Sequence, residues 1–263
     1  MGSKFDNEPE PAPAADRVLS AEGMALLRGA NLSSNVFEAT VERIGKSIKL
    51  GLLKPGQQLP PERELAELMG VSRVTVRSAI QVLTAGGFLM ARRGRNGGTF
   101  VVEKPPVWKG GGAGAGSGPV AVSGFLDRRF VLETGICELA AIRATDTQVG
   151  SLRERVGRLG ELIGDLTAFR REDAQFHIAI AEATGNQDLV RHAAELQAEL
   201  SDLIGQLPPS EDALIHSNLQ HAKVVACIAC HDGAGARQAM AEHLAGTGHF
   251  LSGLLPFSGD FQG

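Results

Sequence analysis

Four side chains, far apart in the chain, have types and spacings that point to chemistry: Asp173, His177, His221 and His243. Asp173 and His177 are four residues apart, a spacing that puts both on one face of a helix. Arg170, Ala174, Ile180, Ala181 and Thr184 fall on the same face, which is mostly small or apolar and therefore expected to turn inward. His221 shares a face with Leu214, Val224, Val225 and Ile228, and His243 shares one with Ala236, Ala239, Met240, Thr247 and Phe250. Three imidazoles and one carboxylate then project inward from three helical stretches. Such a donor set suits Zn²⁺, Ni²⁺ or Mn²⁺. Taken singly, an inward histidine is more often a core residue satisfied by a hydrogen bond, and a lone Asp-x-x-x-His pair is more often structural than metal-binding.

A second chemistry lies upstream. From Leu59 to Arg77 two short helical patterns meet at a tight turn around Gly70-Val71, and Ser72 is placed to cap the second. That second helix buries Val76, Ala79, Ile80 and Leu83 and leaves Arg73, Thr75 and Arg77 outward. This is how a helix-turn-helix presents a recognition helix to a DNA major groove.

The elements that hold these groups follow from periodicity and punctuation. Residues 36–50 form a helical pattern stopped by Gly51 and Pro55-Gly56. Pro60-Pro61 lead into the first helix of the turn motif, and Gly86-Gly87 end the second. Phe88–Arg93 and Thr99–Val102 are β-patterned runs around a basic tip, Gly94 to Gly98, and read as a two-stranded wing. Helical patterns are expected over 124–144, 147–166, 169–183, 187–206, 211–231 and 233–254, with short turns between them. The fold class is mainly α: a winged helix-turn-helix of three helices and a small β-wing, joined to an all-α antiparallel bundle. The expected divisions are a flexible tail at 1–34 with a short helix near Ala21–Arg28, a head at 35–103, a Pro/Gly-rich linker at 104–122, the bundle at 123–255 and a tail at 256–263.

Charge supports the division. Residues 36–103 hold ten Lys/Arg against six Asp/Glu, net +4, while the remainder holds 16 against 24, net −8. A basic head on an acidic body is the asymmetry of a DNA reader attached to a module with another task. No apolar run reaches membrane-spanning length and the N-terminus lacks a secretory pattern, so a cytoplasmic protein with three reduced cysteines is expected. Cys227-Ile-Ala-Cys230-His231 matches the haem-attachment motif by letter, but it sits in a helical pattern without an export context and is expected to be inert. His192, His216 and His249 have no partner that the sequence suggests.

The order Gly51-x-x-x-Pro55-Gly56-x-x-Leu59-Pro60-x-Glu62-Arg63-x-Leu65-Ala66, then Gly70-Val71-Ser72-Arg73-x-Thr75-Val76-Arg77-x-Ala79, then Gly98-Thr99-Phe100-Val101 resembles the GntR family of bacterial transcription regulators. Pro61 departs from the family's usual Ser at the helix cap. The helical region, with Arg129-x-x-x-Glu133, Asp173-x-x-Phe176-His177, Gly185-Asn186, His221 and Ala239-Met240-x-x-His243-Leu244, resembles the FCD effector domain of the FadR subfamily. Six rather than seven bundle helices lean toward the smaller VanR-like branch.

The resemblance implies a divalent metal on Asp173, His177, His221 and His243, and a small organic-acid effector bound beside it. Arg129 and Arg170 are candidates for the effector's carboxylate, with an ion pair from Arg129 to Glu133 as the alternative for the former. It also implies a homodimer, acting as a repressor on a pseudo-palindromic double-stranded DNA operator. Arg73 and Arg77 are then candidates for guanine edges, Arg63 and Thr75 for phosphate or a base edge, and Arg95, Gly97 and Gly98 of the wing for the minor groove. A metal-dependent enzyme and an architectural DNA-binding dimer without effector are the competing readings.

Overall fold

The computed structural model describes residues 24, 27, 35–94, 97–106, 119–205, 207, 208 and 210–255, with the side chains of 119–121 left aside. In the head, α1 (Val36–Lys49) buries Val41, Ile44 and Ile48. Helix α2 (Glu62–Met69) starts at Pro61 without a side-chain cap, as expected where proline replaces a hydroxyl residue, and stops at Gly70 with φ +68°. Ser72 caps α3 (Arg73–Ala85), accepting from the Thr75 amide at 3.0 Å. Strands β1 (Leu89–Arg92) and β2 (Gly98–Val101) pair antiparallel in register from Leu89↔Val101 to Arg92↔Gly98. The head is a winged helix.

Six helices follow: α4 (Pro119–Arg143), α5 (Asp146–Glu161), α6 (Leu166–Ala183), α7 (Gln187–Ile204), α8 (Glu211–Ala229) and α9 (Gly233–Leu254). Their spans fall within a few residues of expectation. The largest departures are α5, which ends at Glu161 where 166 was expected, and α4, which opens at Pro119 where a linker reaching 122 was expected. The Gly/Ala/Ser composition there hides the helix start. Thr145, Asp165, Asn186, Ser210 and Asp232 cap α5 to α9 in turn, each accepting a backbone N–H. Among the described residues no helix is long and apolar enough to cross a membrane.

Head and bundle are not simply tethered. One hydrophobic cluster joins Val41, Ile44, Ile48, Val76 and Leu83 of the head to Leu251 and Leu254 of α9 and to Leu196 and Leu200 of α7. Leu27, inside the stretch expected to be a flexible tail, is helical and fully buried in this same cluster. Its helical state, like that of Met24, agrees with the short helix expected near Ala21–Arg28, while its burial was not expected. The bundle core proper is separate and centres on residues such as Leu152, Leu159, Phe176, Ile180, Val224 and Met240.

The seam between α1 and α9 is both close and polar. A Cβ added at Gly45 would lie 2.2 Å from the Gly253 carbonyl oxygen, so the two backbones meet where neither residue has a side chain. Asn35 does not cap its own helix; it donates from Nδ2 to the Glu242 carbonyl (2.7 Å) and accepts from Gln220 Nε2 (2.5 Å). His216 Nδ1 bonds Glu38 Oε1 at 2.7 Å, and His249 Nδ1 bonds Glu42 Oε2. Both histidines had no foreseeable partner, because each carboxylate lies more than 170 residues away in sequence. Lys49 Nζ donates to the Ser252 carbonyl at 2.6 Å, and burial pulls its ammonium down to about 8, with Lys46 adding repulsion and Glu42 opposing.

Two outcomes follow from the seam. An exposed helical Gly→Ala change gains about 0.5–1 kcal/mol, so Gly157→Ala, with nothing near its Cβ position, is expected to raise the melting temperature. Gly45→Ala is expected to lower it, because overpacking against backbone costs about 1–3 kcal/mol. Lys49 holds its proton less tightly folded than unfolded, so the folded state is relieved as pH rises through about 8. The stability of the natural chain relative to Lys49→Met is therefore expected to increase between pH 7 and 10 in paired thermal melts. A flat difference would contradict the burial argument.

Candidate functional site

Helix α6 carries Asp173 and His177 one turn apart, α8 carries His221 and α9 carries His243. The three helices converge so that one nitrogen from each histidine lies within 4.8 Å of the others. All three side chains are buried. The His221 and His243 Nε2 atoms are 3.4 Å apart, and Phe176 packs on His221 at 4.5 Å between centroids. His221 Nδ1, His243 Nδ1 and His177 Nε2 have no hydrogen-bond partner among the described residues. Burial pushes His221 and His243 well below the ordinary imidazole range, with His177 adding repulsion at His221, and His221 and then His177 at His243, which favours the neutral rings. Asp173 stands at the edge, its Oδ1 3.4 Å from His221 Nε2, and burial raises its carboxyl. It lies outside the tight group of three.

This set fits a divalent metal. Unpartnered polar atoms in a dry site cost about 1–3 kcal/mol each, and neutral imidazoles with free lone pairs are the form a metal takes. Two ligands at about 2.1 Å from one ion, near the tetrahedral angle, sit about 3.4 Å apart.

Glu133 is the residue that the sequence undervalued. Its role as partner of Arg129 holds, with Arg129 Nε donating to Oε1 at 2.7 Å in a buried pair. Its second oxygen contacts His177 Nδ1, and Gln197 Nε2 donates to Oε1 at 3.3 Å. Burial alone would raise the Glu133 carboxyl, but the charge of Arg129 and the adjoining His177 outweigh it and hold the group at about 2. A carboxylate on the far nitrogen of a metal-binding histidine fixes ring orientation. The i, i+4 spacing to Arg129 was the visible signal, but its contact with His177 crosses between helices.

His243 of the cluster, with Asp173 beside it, lines a cavity of about 110 Å³. One water needs roughly 10–15 Å³ on that scale, so the space suits a molecule of several heavy atoms. Asp173, His243, Arg129 and Arg170 line it together with apolar groups such as Phe169 and Phe250. Arg129 is fully buried and its Nη1 has no partner among the described residues. Arg170 is half-buried, and its guanidinium is lowered by burial against the pull of Asp173. The cavity also takes in Glu38 from α1 of the head.

On the head, Arg73 and Arg77 are exposed on α3, one turn apart. Arg77 is clamped by Glu62 of α2, with Nη2 to Oε2 at 2.7 Å. Thr75 is half-buried and its hydroxyl bonds Ser72 Oγ at 2.8 Å. Arg63 is exposed and lies 3.9 Å from Glu67. Arg95 lies outside the described residues. Gly97 and Gly98 stand at the base of the wing tip, where a Cβ on Gly98 would strike the Gln58 amide at 2.3 Å. Val74 was not singled out from sequence; it is 69% exposed beside Arg73, an apolar group on the solvent side of the recognition helix. Cys230 ends α8, and His231 turns left-handed at φ +55° with its ring against the Ala141 carbonyl at 2.9 Å, away from the histidine cluster.

Comparison with known proteins places these features. Residues 37–101 match the family described as bacterial regulatory proteins, gntR family, and residues 125–246 match the FCD domain. The Uxu operon transcriptional regulator of Escherichia coli is 30% identical over 227 residues, covering 81% of this chain and 86% of that protein. RmpR of Mycobacterium gastri, provisionally named an HTH-type transcriptional regulator, is 34% identical over 178 residues, covering 62% of this chain and 60% of its own length. The solved structure of Streptococcus agalactiae GntR is similar at 26% identity and a TM-score of 0.45, over 80% of this chain and 98% of that one.

The buried charges give a direct test of the site's framework. Glu133→Leu strands Arg129 without its counter-charge and is expected to cost about 3–5 kcal/mol, read by urea unfolding. Adding Arg129→Met to it should recover most of that loss. A double variant no more stable than the single would contradict the pairing.

Proposed function

This chain belongs to the GntR family of bacterial regulatory proteins, with an FCD domain behind its winged-helix head, and from that we infer how a DNA-binding transcription regulator of this build is controlled. Its relatives are named regulators and not enzymes. The regulator works as a cytoplasmic homodimer on a pseudo-palindromic operator, one recognition helix per half-site. Arg73 and Arg77 read guanine edges, Arg63 and Thr75 hold phosphate or a base edge, and the wing around Arg95, Gly97 and Gly98 enters the minor groove. Arg77 must first leave Glu62, an exposed and screened pair that a nucleic-acid anion can displace. The six bundle helices among the described residues favour the VanR-like branch of the FadR subfamily.

Asp173, His177, His221 and His243 would hold a Zn²⁺, Ni²⁺ or Mn²⁺ ion. When bound, that ion supplies a fixed cation in a low-dielectric cavity, which favours a carboxylate ligand. Arg129 and Arg170 orient the carboxylate, Glu133 fixes the ring of His177, and Phe169 and Phe250 keep water from the bound acid. The organic acid changes which position of the heads is favoured, and so releases the repressor from DNA. The observation that carries this reading is the triad of buried histidines with one nitrogen each within 4.8 Å of the others, one of which, His243, lines a cavity shared with Arg129 and Arg170.

Two measurements test it. Duplexes selected by the full chain from a random pool are expected to show two-fold symmetry, and Arg73→Ala to weaken binding by about 1–3 kcal/mol. A loss below that range would remove the base-reading role. Elemental analysis of the purified chain should find about one divalent metal per protomer, lost in His221→Ala. Equal metal content in both would reject the histidine site.

A further inference from the structure

The cavity has a wall that does not belong to the bundle. Glu38 lies in the first turn of α1, in the head, and yet lines the cavity together with Arg129, Asp173 and His243. It is 5% exposed. Its Oε1 is held by His216 of α8 at 2.7 Å, and its Oε2 is buried with no hydrogen-bond partner among the described residues. Arg129, which lines the same cavity, has a second buried and unpartnered atom, Nη1, of opposite chemistry. A cavity lined by one cationic and one anionic residue, each keeping an unpartnered polar atom, is complementary to a ligand that carries both groups. A plain carboxylate satisfies the cationic side only and leaves the acceptor desolvated, at about 1–3 kcal/mol or more for a charged group.

We propose that the effector is a carboxylate bearing a hydroxyl or ammonium donor, and that Glu38 receives that donor, so that the ligand bridges the bundle to the DNA-binding head. The proposal rests on the carboxylate-binding reading of the cavity and adds to it the second functional group and the head residue that recognises it. Its structural consequence is direct. Glu38 sits one residue row from the seam contacts of Asn35 and Glu42, on the helix that leads into the helix-turn-helix. Occupancy of the cavity therefore acts on the docking of the head without a relay through the bundle core. Glu38 is a specificity residue for the ligand through Oε2, while His216 occupies only its other oxygen, Oε1.

The test uses the metal-loaded full chain and acids in matched pairs that differ only by the donor: glycolate, glycine and acetate; malate, aspartate and succinate. Thermal shift finds the acids that bind, and isothermal titration measures them. The donor-bearing member is expected to bind more tightly than its plain partner. Glu38→Gln should cut its affinity about tenfold or more, the range of a hydrogen bond to a charged group, while the plain acid changes little. His216→Ala, which leaves the Glu38 carboxylate in place, should preserve the preference. Equal affinities within every pair, a preference that survives Glu38→Gln, or one lost as fully in His216→Ala, would each overturn the direct contact. If no acid of the panel shifts the melting temperature, the carboxylate reading itself fails and this proposal fails with it. A crystal structure of Glu38→Gln, or its unchanged melting temperature without acid, separates a lost contact from a lost fold.

Discussion

The close packing of α1 on α9 is the constraint on which the rest of the molecule depends. Gly45 and Gly253 let two helix backbones approach where any side chain would collide. Because they meet there, α9 serves two neighbours along its length. Its middle carries His243, Gly246, Thr247 and Phe250 of the cavity, and its end carries Ser252, Gly253 and Leu254 of the head contact. A rigid helix shared in this way lets a change at one end be felt at the other. Packed cores respond in discrete steps and not by smooth deformation, which suits a switch.

Electrostatics gives the same arrangement its selectivity. Arg129, Glu133 and His177 form one buried chain of charge and dipole, braced by Gln197. It costs desolvation, and its return is a fixed orientation of the histidine and of the arginine beside the cavity. His221 and His243, kept neutral by burial, complete a site that is short of positive charge until a cation enters. Seam carboxylates Glu38 and Glu42 are each answered by a histidine of the bundle, His216 and His249. Apart from the second oxygen of Glu38, the polar groups named between head and bundle are thus matched pair by pair, as in an interface that has a defined docked geometry.

Much of this was legible in the residues. The turn motif, its serine cap and its glycine stop are local, so periodicity and capping chemistry recover them. The inward faces of His177, His221 and His243 follow from helical spacing, and the structure does gather their nitrogens within 4.8 Å. Asp173 follows the same periodicity but stops at the rim, because a shared face does not settle how deep a side chain reaches. What escaped was contact between distant segments. Nothing local links His216 to Glu38 or His249 to Glu42, and nothing in a polar, proline-rich N-terminus marks Leu27 as a core residue. The start of α4 was hidden for a different reason: glycine, alanine and serine before residue 119 read as linker, and helix and linker compositions overlap there.

The central claim is that the cavity and the DNA-reading head are energetically coupled across the α1–α9 seam. Coupling of this kind is reciprocal: a ligand that changes DNA affinity must have its own affinity changed by DNA by the same factor. The most direct measurement is titration of the tightest-binding acid into the metal-loaded full chain, free and saturated with its selected duplex. The account predicts affinities that differ by about fivefold or more, equal to the factor by which that acid shifts DNA binding. Identical acid affinities in the free and DNA-bound protein would contradict it.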